Sequence, residues 1–474
     1  MKFKKFGKAL LLSALSAGVI LSVTSCVQDY SVGYLYVTGT VTAQSSGSGI
    51  ITGFKIDHNT GKLTSINGLP VSSGGANPVR AVLLTGSRFL YVLNRGVNAA
   101  GGTDCTASTS NNQPGPCKNA NITQFAIGAN GILTPQATFY TQGVNPFRMV
   151  ADSSGSFIYV LDHDSPDPSS TSSAPVASTN NAYCAAALTG AKTCGDITAF
   201  SVNSTTGRLT LLQNTQVTTA GGGTPLPYFP VPANPVDFVM SGGTILTMSG
   251  AQTTVNTTTG AYIGGSTVFP YTYNQSNGQL TVNQNTAQTL NIQQGTALVT
   301  GSSYVFVLDN EAPASSTNGA TSQILTYTVG SGGALLSVTN GIISDDANQS
   351  NPTWLAVESS KGKWLYVANQ GNNATGTGTA ESGLAGYVLN SPYQPTEMSG
   401  TPIGFGAGAG PQCLVEDPSN QFFYTANFYS STVTGQAIDQ NAGVLHPLSE
   451  VSKVPDSYSL TGPATWCLVD GRTS

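Results

Sequence analysis

Three charged residues occupy one repeated position in this chain. Each stands two residues after a proline, in Pro78-Val79-Arg80, Pro146-Phe147-Arg148 and Pro235-Val236-Asp237. Two guanidiniums and a carboxylate at equivalent places can serve two ends. They can converge on an anion, whether a carboxylate, a phosphate or the oxyanion of a reacting ester. Alternatively, they pair with one another and lock neighbouring elements together. Arginine is no general base at ordinary pH, so hydrolysis would need another group to activate water. A second constellation is Asp162-His163-Asp164, where a histidine between two acids could act as a base or help hold a cation. The catalytic candidates are therefore Arg80, Arg148, His163 and Asp237, and the ligand-binding candidates are Arg80, Arg148, Asp162, Asp309 and Glu311. Against a site at Asp162 stands a recurrence: Asn94, Asp162, Asp309, Asn369 and Asn427 end similar strands. An Asx residue repeated at one turn is the mark of a local cap. No cofactor is expected, and a divalent cation beside Asp162 and Asp164 stays open. No nucleophile-serine, phosphate-loop or HExxH motif occurs.

What must position these residues is a four-part repeat. A proline and a short apolar stretch come first, as in Pro78–Leu84. A strand such as Phe89-Leu90-Tyr91-Val92-Leu93-Asn94 follows, then an alternating segment such as Ile122–Ile127, then a strand opened by a Gly turn at Gly131. Alternation, β-branched and aromatic enrichment, and Gly/Asn/Asp punctuation predict four antiparallel strands per unit.

The second strand counts the units. It reads Tyr34-Leu35-Tyr36-Val37, Leu90-Tyr91-Val92, Ile158-Tyr159-Val160, Thr244-Ile245-Leu246, Val305-Phe306-Val307, Leu365-Tyr366-Val367 and Phe423-Tyr424-Thr425, which makes seven. The first copy lacks its leading strand, and a leading strand without followers, Pro463–Asp470, stands at the far end of the chain. The C-terminal strand is thus expected to complete the N-terminal unit and close a ring. The fold class is all-β: a seven-bladed β-propeller of four-stranded antiparallel blades spanning residues 33–470. Two long units carry insertions at 97–120 and 164–195, expected on one rim where binding surfaces form.

The N-terminus reads as a targeting segment. Lys2, Lys4, Lys5 and Lys8 precede an apolar stretch from Ala9 to Val23, and Val23-Thr24-Ser25-Cys26 resembles a bacterial lipobox. That resemblance implies a signal peptide over 1–25, a lipidated Cys26, a linker over 26–32 and attachment to a membrane of the cell envelope. Removing residues 1–25 takes away four Lys and no acid, leaving 13 Lys and Arg against 22 Asp and Glu, a net −9. Such a surface excludes nucleic acid as a partner, since phosphate binding needs concentrated cations. It leaves a small molecule, glycan or protein at the channel mouth or rim. Among the remaining six cysteines, proximity predicts the disulfides Cys105–Cys117 and Cys184–Cys194. Cys413 and Cys467, at similar places in neighbouring repeats, either pair or stay as buried thiols. CxxC spacing is absent, so no structural zinc is expected.

The repeats resemble the seven-bladed propeller lactonases, related to bacterial 6-phosphogluconolactonases and to YVTN-type surface repeats. The resemblance is carried by Phe89-Leu90-Tyr91-Val92-Leu93-Asn94-Arg95-Gly96, by Trp364-Leu365-Tyr366-Val367-Ala368-Asn369-Gln370 and by Tyr159-Val160-Leu161-Asp162-His163-Asp164. It implies hydrolysis of a sugar lactone or related ester. The histidines that the family places just after the repeat proline have no counterpart here, because only His58, His163 and His446 occur. The residues therefore favour a lipid-anchored, exported propeller that binds a ligand or partner through its channel mouth and rim loops, with an active lactonase-like hydrolase as the alternative.

Overall fold

The computed structural model describes residues 30–41, 47–84, 88–98, 108–109, 113–114, 117–165, 195–218, 225–232, 234–250, 254–255, 262–263, 265–282, 288–301, 303–310, 322–371, 382–390, 394–404 and 409–472. Cys26, Cys105, Cys184, Cys194 and Glu311 lie outside them, as do residues 1–25, read above as a signal segment, and most of residues 97–120 and 164–195. Cys117 falls in a two-residue strand whose side chains are likewise outside the description.

Seven antiparallel sheets form the blades. Their innermost strands are Ala464–Asp470 for blade 1, then Pro78–Leu83, Val144–Ala151, Pro235–Ser241, Gly295–Gly301, Pro352–Val357 and Pro411–Glu416 for blades 2 to 7. Blade 1 is closed as the sequence predicts. Strand Ala464–Asp470 pairs with Ser31–Thr40 from Gly39↔Ala464 to Tyr34↔Asp470. The strand opens at Ala464, and the carbonyl of Pro463 accepts a hydrogen bond from the Thr40 amide at 3.1 Å. Each innermost strand carries a bulge near its start, at Val79, Phe147, Val236, Thr296, Thr353, Gln412 and Thr465. A bulge re-aims the side chains around it.

The second-strand signature has a physical reason. Its tyrosine reaches the next blade and donates to a glycine carbonyl in that blade's outer turn. Tyr36 bonds Gly131 at 2.7 Å, Tyr159 bonds Gly278 at 3.1 Å, Tyr366 bonds Gly443 at 2.5 Å and Tyr424 bonds Gly61 at 2.7 Å, and Tyr91 bonds Gly207 likewise. Burial raises the pKa of all five phenols, so each stays neutral and keeps its donor proton. The aromatic residue two positions earlier packs on the same turn. A Cβ on Gly443, whose φ is +76°, would come within 2.5 Å of the Trp364 ring. Only glycine satisfies both the left-handed turn and that approach. Aliphatic and aromatic side chains between blades complete seven core clusters, one for each blade-to-blade seam.

Cys413 and Cys467 are disulfide-bonded, with Cα atoms 5.9 Å apart. Both are buried and lie on innermost strands, so the bond clasps blade 7 to the C-terminal strand of blade 1. Of the two states left open by the sequence, the paired one holds.

Candidate channel-mouth site

The residue after each bulge defines one level of the channel: Arg80, Arg148, Asp237, Ala297, Trp354, Cys413 and Trp466. The structure brings Arg80, Arg148 and Asp237 together there. Asp237 Oδ1 accepts from Arg148 Nε at 3.0 Å and lies 3.7 Å from Arg80 Nη2. The same oxygen takes the Phe238 amide at 2.9 Å, and Oδ2 takes the Leu298 amide of blade 5 at 2.9 Å. With its side chain 1% exposed, Asp237 is a saturated counter-ion with no lone pair directed at a substrate. A water-activating role does not fit it.

Arg80 also reaches across the channel. Its guanidinium carbon lies 3.6 Å from the Trp466 ring centroid and 4.8 Å from that of Trp354, and the two indoles meet edge to face at 4.6 Å. Burial, then the like charge of Arg148, push Arg80 down to about 9 against the pull of Asp237; it remains charged at neutral pH. Trp354 and Trp466 were not singled out by sequence reasoning. The signal was available, since both stand at the same repeat position as the arginines.

This plug separates two spaces. On the side of the bulges lies a cavity of about 210 Å³, lined by Arg148, Thr296, Asn351, Thr353, Gln412 and Thr465 among others. Thr296 and Thr353 donate to the proline carbonyls of the next blade, at 2.8 Å each, which leaves their hydroxyl lone pairs for a ligand. Arg148, 27% exposed, is the accessible cation, and its Nη1 touches only the Phe147 carbonyl at 3.2 Å. Two guanidiniums on one carboxylate leave this level of the channel with an excess of one positive charge. Both insertions open on the same rim, because Asn94 pairs with Pro78 and Asp164 with Val144.

The remaining candidates among the described residues do not join the cluster. His163 is buried behind Phe147, ring centroids 6.2 Å apart, with Nδ1 3.3 Å from Asp164. The Phe147 ring in turn lies 5.4 Å from the Arg148 guanidinium carbon. Asp164 is held by Asn145 at 2.6 Å. Asp309, fully buried, accepts from the Gln293 and Gln294 amides and from Gln323, which makes it a cap on its own blade. Asp162 is a cap as well, bound by Thr141 at 2.8 Å and Thr198 at 3.3 Å. Among the described residues, no group of three or more His, Cys, Asp or Glu is arranged to hold a metal ion.

Asp162 nonetheless differs from its counterparts. Its cross-strand neighbour is Asp196, also fully buried, where blade 2 has Asn94 donating to Asn121 at 2.9 Å. Two carboxyls can reproduce that amide pair only by sharing a proton. Burial pushes Asp162 up to about 7 and raises Asp196 well above the usual carboxylate range, each in addition feeling the other acids nearby. A raised folded-state pKa contributes stability that is complete below the unfolded value near 4 and is lost as pH rises through the folded value. Asp196→Asn restores the amide donor. Its thermal midpoint is expected to fall less between about pH 5 and pH 8 than that of the wild type. Equal slopes in a thermal-shift titration would refute the shared proton.

Comparison with known proteins agrees with this architecture. Residues 47–172 match the family described as Lactonase, 7-bladed beta-propeller. A search of curated proteins gives no match. Among solved structures, a putative 6-phosphogluconolactonase from Bacteroides fragilis aligns at TM-score 0.57 and 13% identity, covering 93% of this chain and 98% of its own. The periplasmic gluconolactonase of Pseudomonas aeruginosa aligns at 0.58 and 15%, covering 92% and 99%. A hypothetical selenium-binding protein from Sulfolobus tokodaii aligns at 0.54 and 9%, covering 93% and 94%. Similarity at these identities establishes a shared fold.

Proposed function

Starting from a seven-bladed propeller of the lactonase type, we propose that this protein binds a small organic anion, of the sugar-acid class, in the 210 Å³ cavity at the channel mouth. The observation that carries the reading is the charge imbalance: two guanidiniums share one saturated carboxylate, and Arg148 faces the cavity. Threonine hydroxyls around the cavity suit a polyhydroxylated ligand. Residence outside the cytoplasm is supported by the buried Cys413–Cys467 bond, because reducing compartments keep thiols open. Anchorage through a lipid on Cys26 belongs to the same proposal.

Lactone hydrolysis is the second reading, favoured by the family match over 47–172. Against it, among the described residues, stand the burial of Asp237 under its two arginines and two amides and the burial of His163 against Phe147. Calorimetry with gluconate and assay of glucono-lactone hydrolysis separate the two. Gluconate is expected to bind wild type, and Arg148→Ala to weaken it at least tenfold, about the worth of one charge-assisted hydrogen bond. The fold is expected to survive, since Arg148 is partly exposed and its pair is correspondingly screened. Gluconate binding unchanged in Arg148→Ala would sink the proposal, and turnover well above the uncatalysed rate would favour the hydrolase.

A further inference from the structure

Below the plug the channel changes character. Counted from the residue before each bulge, the fourth residue of each innermost strand is buried between blades, whereas the fifth borders the channel: Val82, Val150, Val239, Val299, Ala356, Val415 and Leu468. All seven are aliphatic. Six are only half buried, although the ring of blades encloses them. Five of them, with Arg80, Trp354 and Trp466 at one end and Glu416 at the other, line a cavity of about 530 Å³. The remaining two, Val299 and Ala356, line an adjoining space that shares Trp354 and Glu416. A collar repeated in every blade is a built feature, and an apolar cavity of this size gains from taking up hydrocarbon.

We propose that this collar holds the alkyl chain of a small amphiphilic acid whose carboxylate faces the Arg80 end. Three arguments select that occupant. The wall is aliphatic in all seven blades, which suits a flexible chain and offers no array of donors to a sugar. Charge complementarity orients it, because the plug carries the positive excess while Glu416 stands at the other end. The length also agrees: Glu416 lies three strand residues beyond the plug level, a rise of about 10 Å, the span of a medium-length chain. The site is separate from the sugar-acid cavity, with the plug between them, and neither proposal rests on the other.

Tryptophan fluorescence reads it directly. Two of the three tryptophans, Trp354 and Trp466, border the cavity, while Trp364 is buried in the seam between blades 6 and 7. Titration of the full chain with butanoate, hexanoate and octanoate is expected to give saturable signals with affinity rising about fourfold per methylene. Val239→Asp, which adds a like charge to a half-exposed wall position, is expected to weaken octanoate at least tenfold. Val150→Phe, which fills the same space with hydrocarbon, guards against a variant that misfolds and is expected to do likewise. Affinity independent of chain length would overturn the proposal, and so would octanoate binding unchanged in a folded Val150→Phe. Gluconate, titrated in parallel, tests the other cavity: octanoate binding without gluconate binding rejects the sugar-acid reading alone, and the converse rejects the collar alone.

Discussion

Asp237→Ala is expected to destabilise the propeller by about 3–5 kcal/mol, because it strands two guanidiniums against each other in a site where one is almost fully buried. Asp237 is the shared counter-ion of Arg80 and Arg148 from blades 2 and 3 and ties its own blade 4 to blade 5 through the Leu298 amide. One side chain thus joins four consecutive blades. Arg80 cannot escape to water, since it is wedged against Trp466 of the adjacent blade 1 and Trp354 of blade 6. The loss should be partly recovered in the double variant Asp237→Ala/Arg80→Met, which removes the uncompensated charge and retains its volume. Denaturant midpoints of the wild type, the single and the double variant provide the measurement. A single-variant loss below about 1 kcal/mol would mean that solvent, not Asp237, balances the arginines.

Removing the Cys413–Cys467 clasp is expected to cost a similar amount. The bond closes a sequence separation of 54 residues, which in the chain-entropy account corresponds to about 4 kcal/mol. It holds the closing strand against blade 7, next to the one junction that no chain connection crosses, the ladder inside blade 1. Blades 2 to 7 are each a continuous stretch of chain, but the inner strand of blade 1 arrives from the far terminus and is held by its ladder to Ser31–Thr40. The double variant Cys413→Ala/Cys467→Ala should therefore unfold at a clearly lower denaturant midpoint, and faster than wild type. Its fluorescence from Trp466, one residue from the clasp, should change before that of the other blades' cores. Identical midpoints with and without the bond would show that the ladder alone secures the ring.

Much of the architecture was legible because a propeller writes its geometry once per blade. Seven copies of the second strand could be counted, since a tyrosine or its apolar substitute must recur where each blade meets the next glycine turn. The orphan strand near residue 464 had to pair with the strand-poor start, because an unpaired edge would be left otherwise. The equivalence of Arg80, Arg148 and Asp237 was likewise visible as spacing after a proline. The exact start of the closing strand was not, since Pro463 mimics the repeat proline while Ala464 occupies its register.

What the arginines do was a different question. In the sequence, an anion-binding trio and a locking ion pair look alike. Only the tertiary structure, by placing Leu298 from another blade against Asp237, shows that the carboxylate is consumed and that positive charge is left over. The same holds for His163, whose two acidic neighbours suggest chemistry in the sequence but which the fold buries against Phe147. Spacing along the chain determines which strand and which level a side chain occupies, because both follow from local periodicity. Which partners it meets across a ring of blades depends on contacts between residues tens to hundreds apart, and these come into being only when the ring closes.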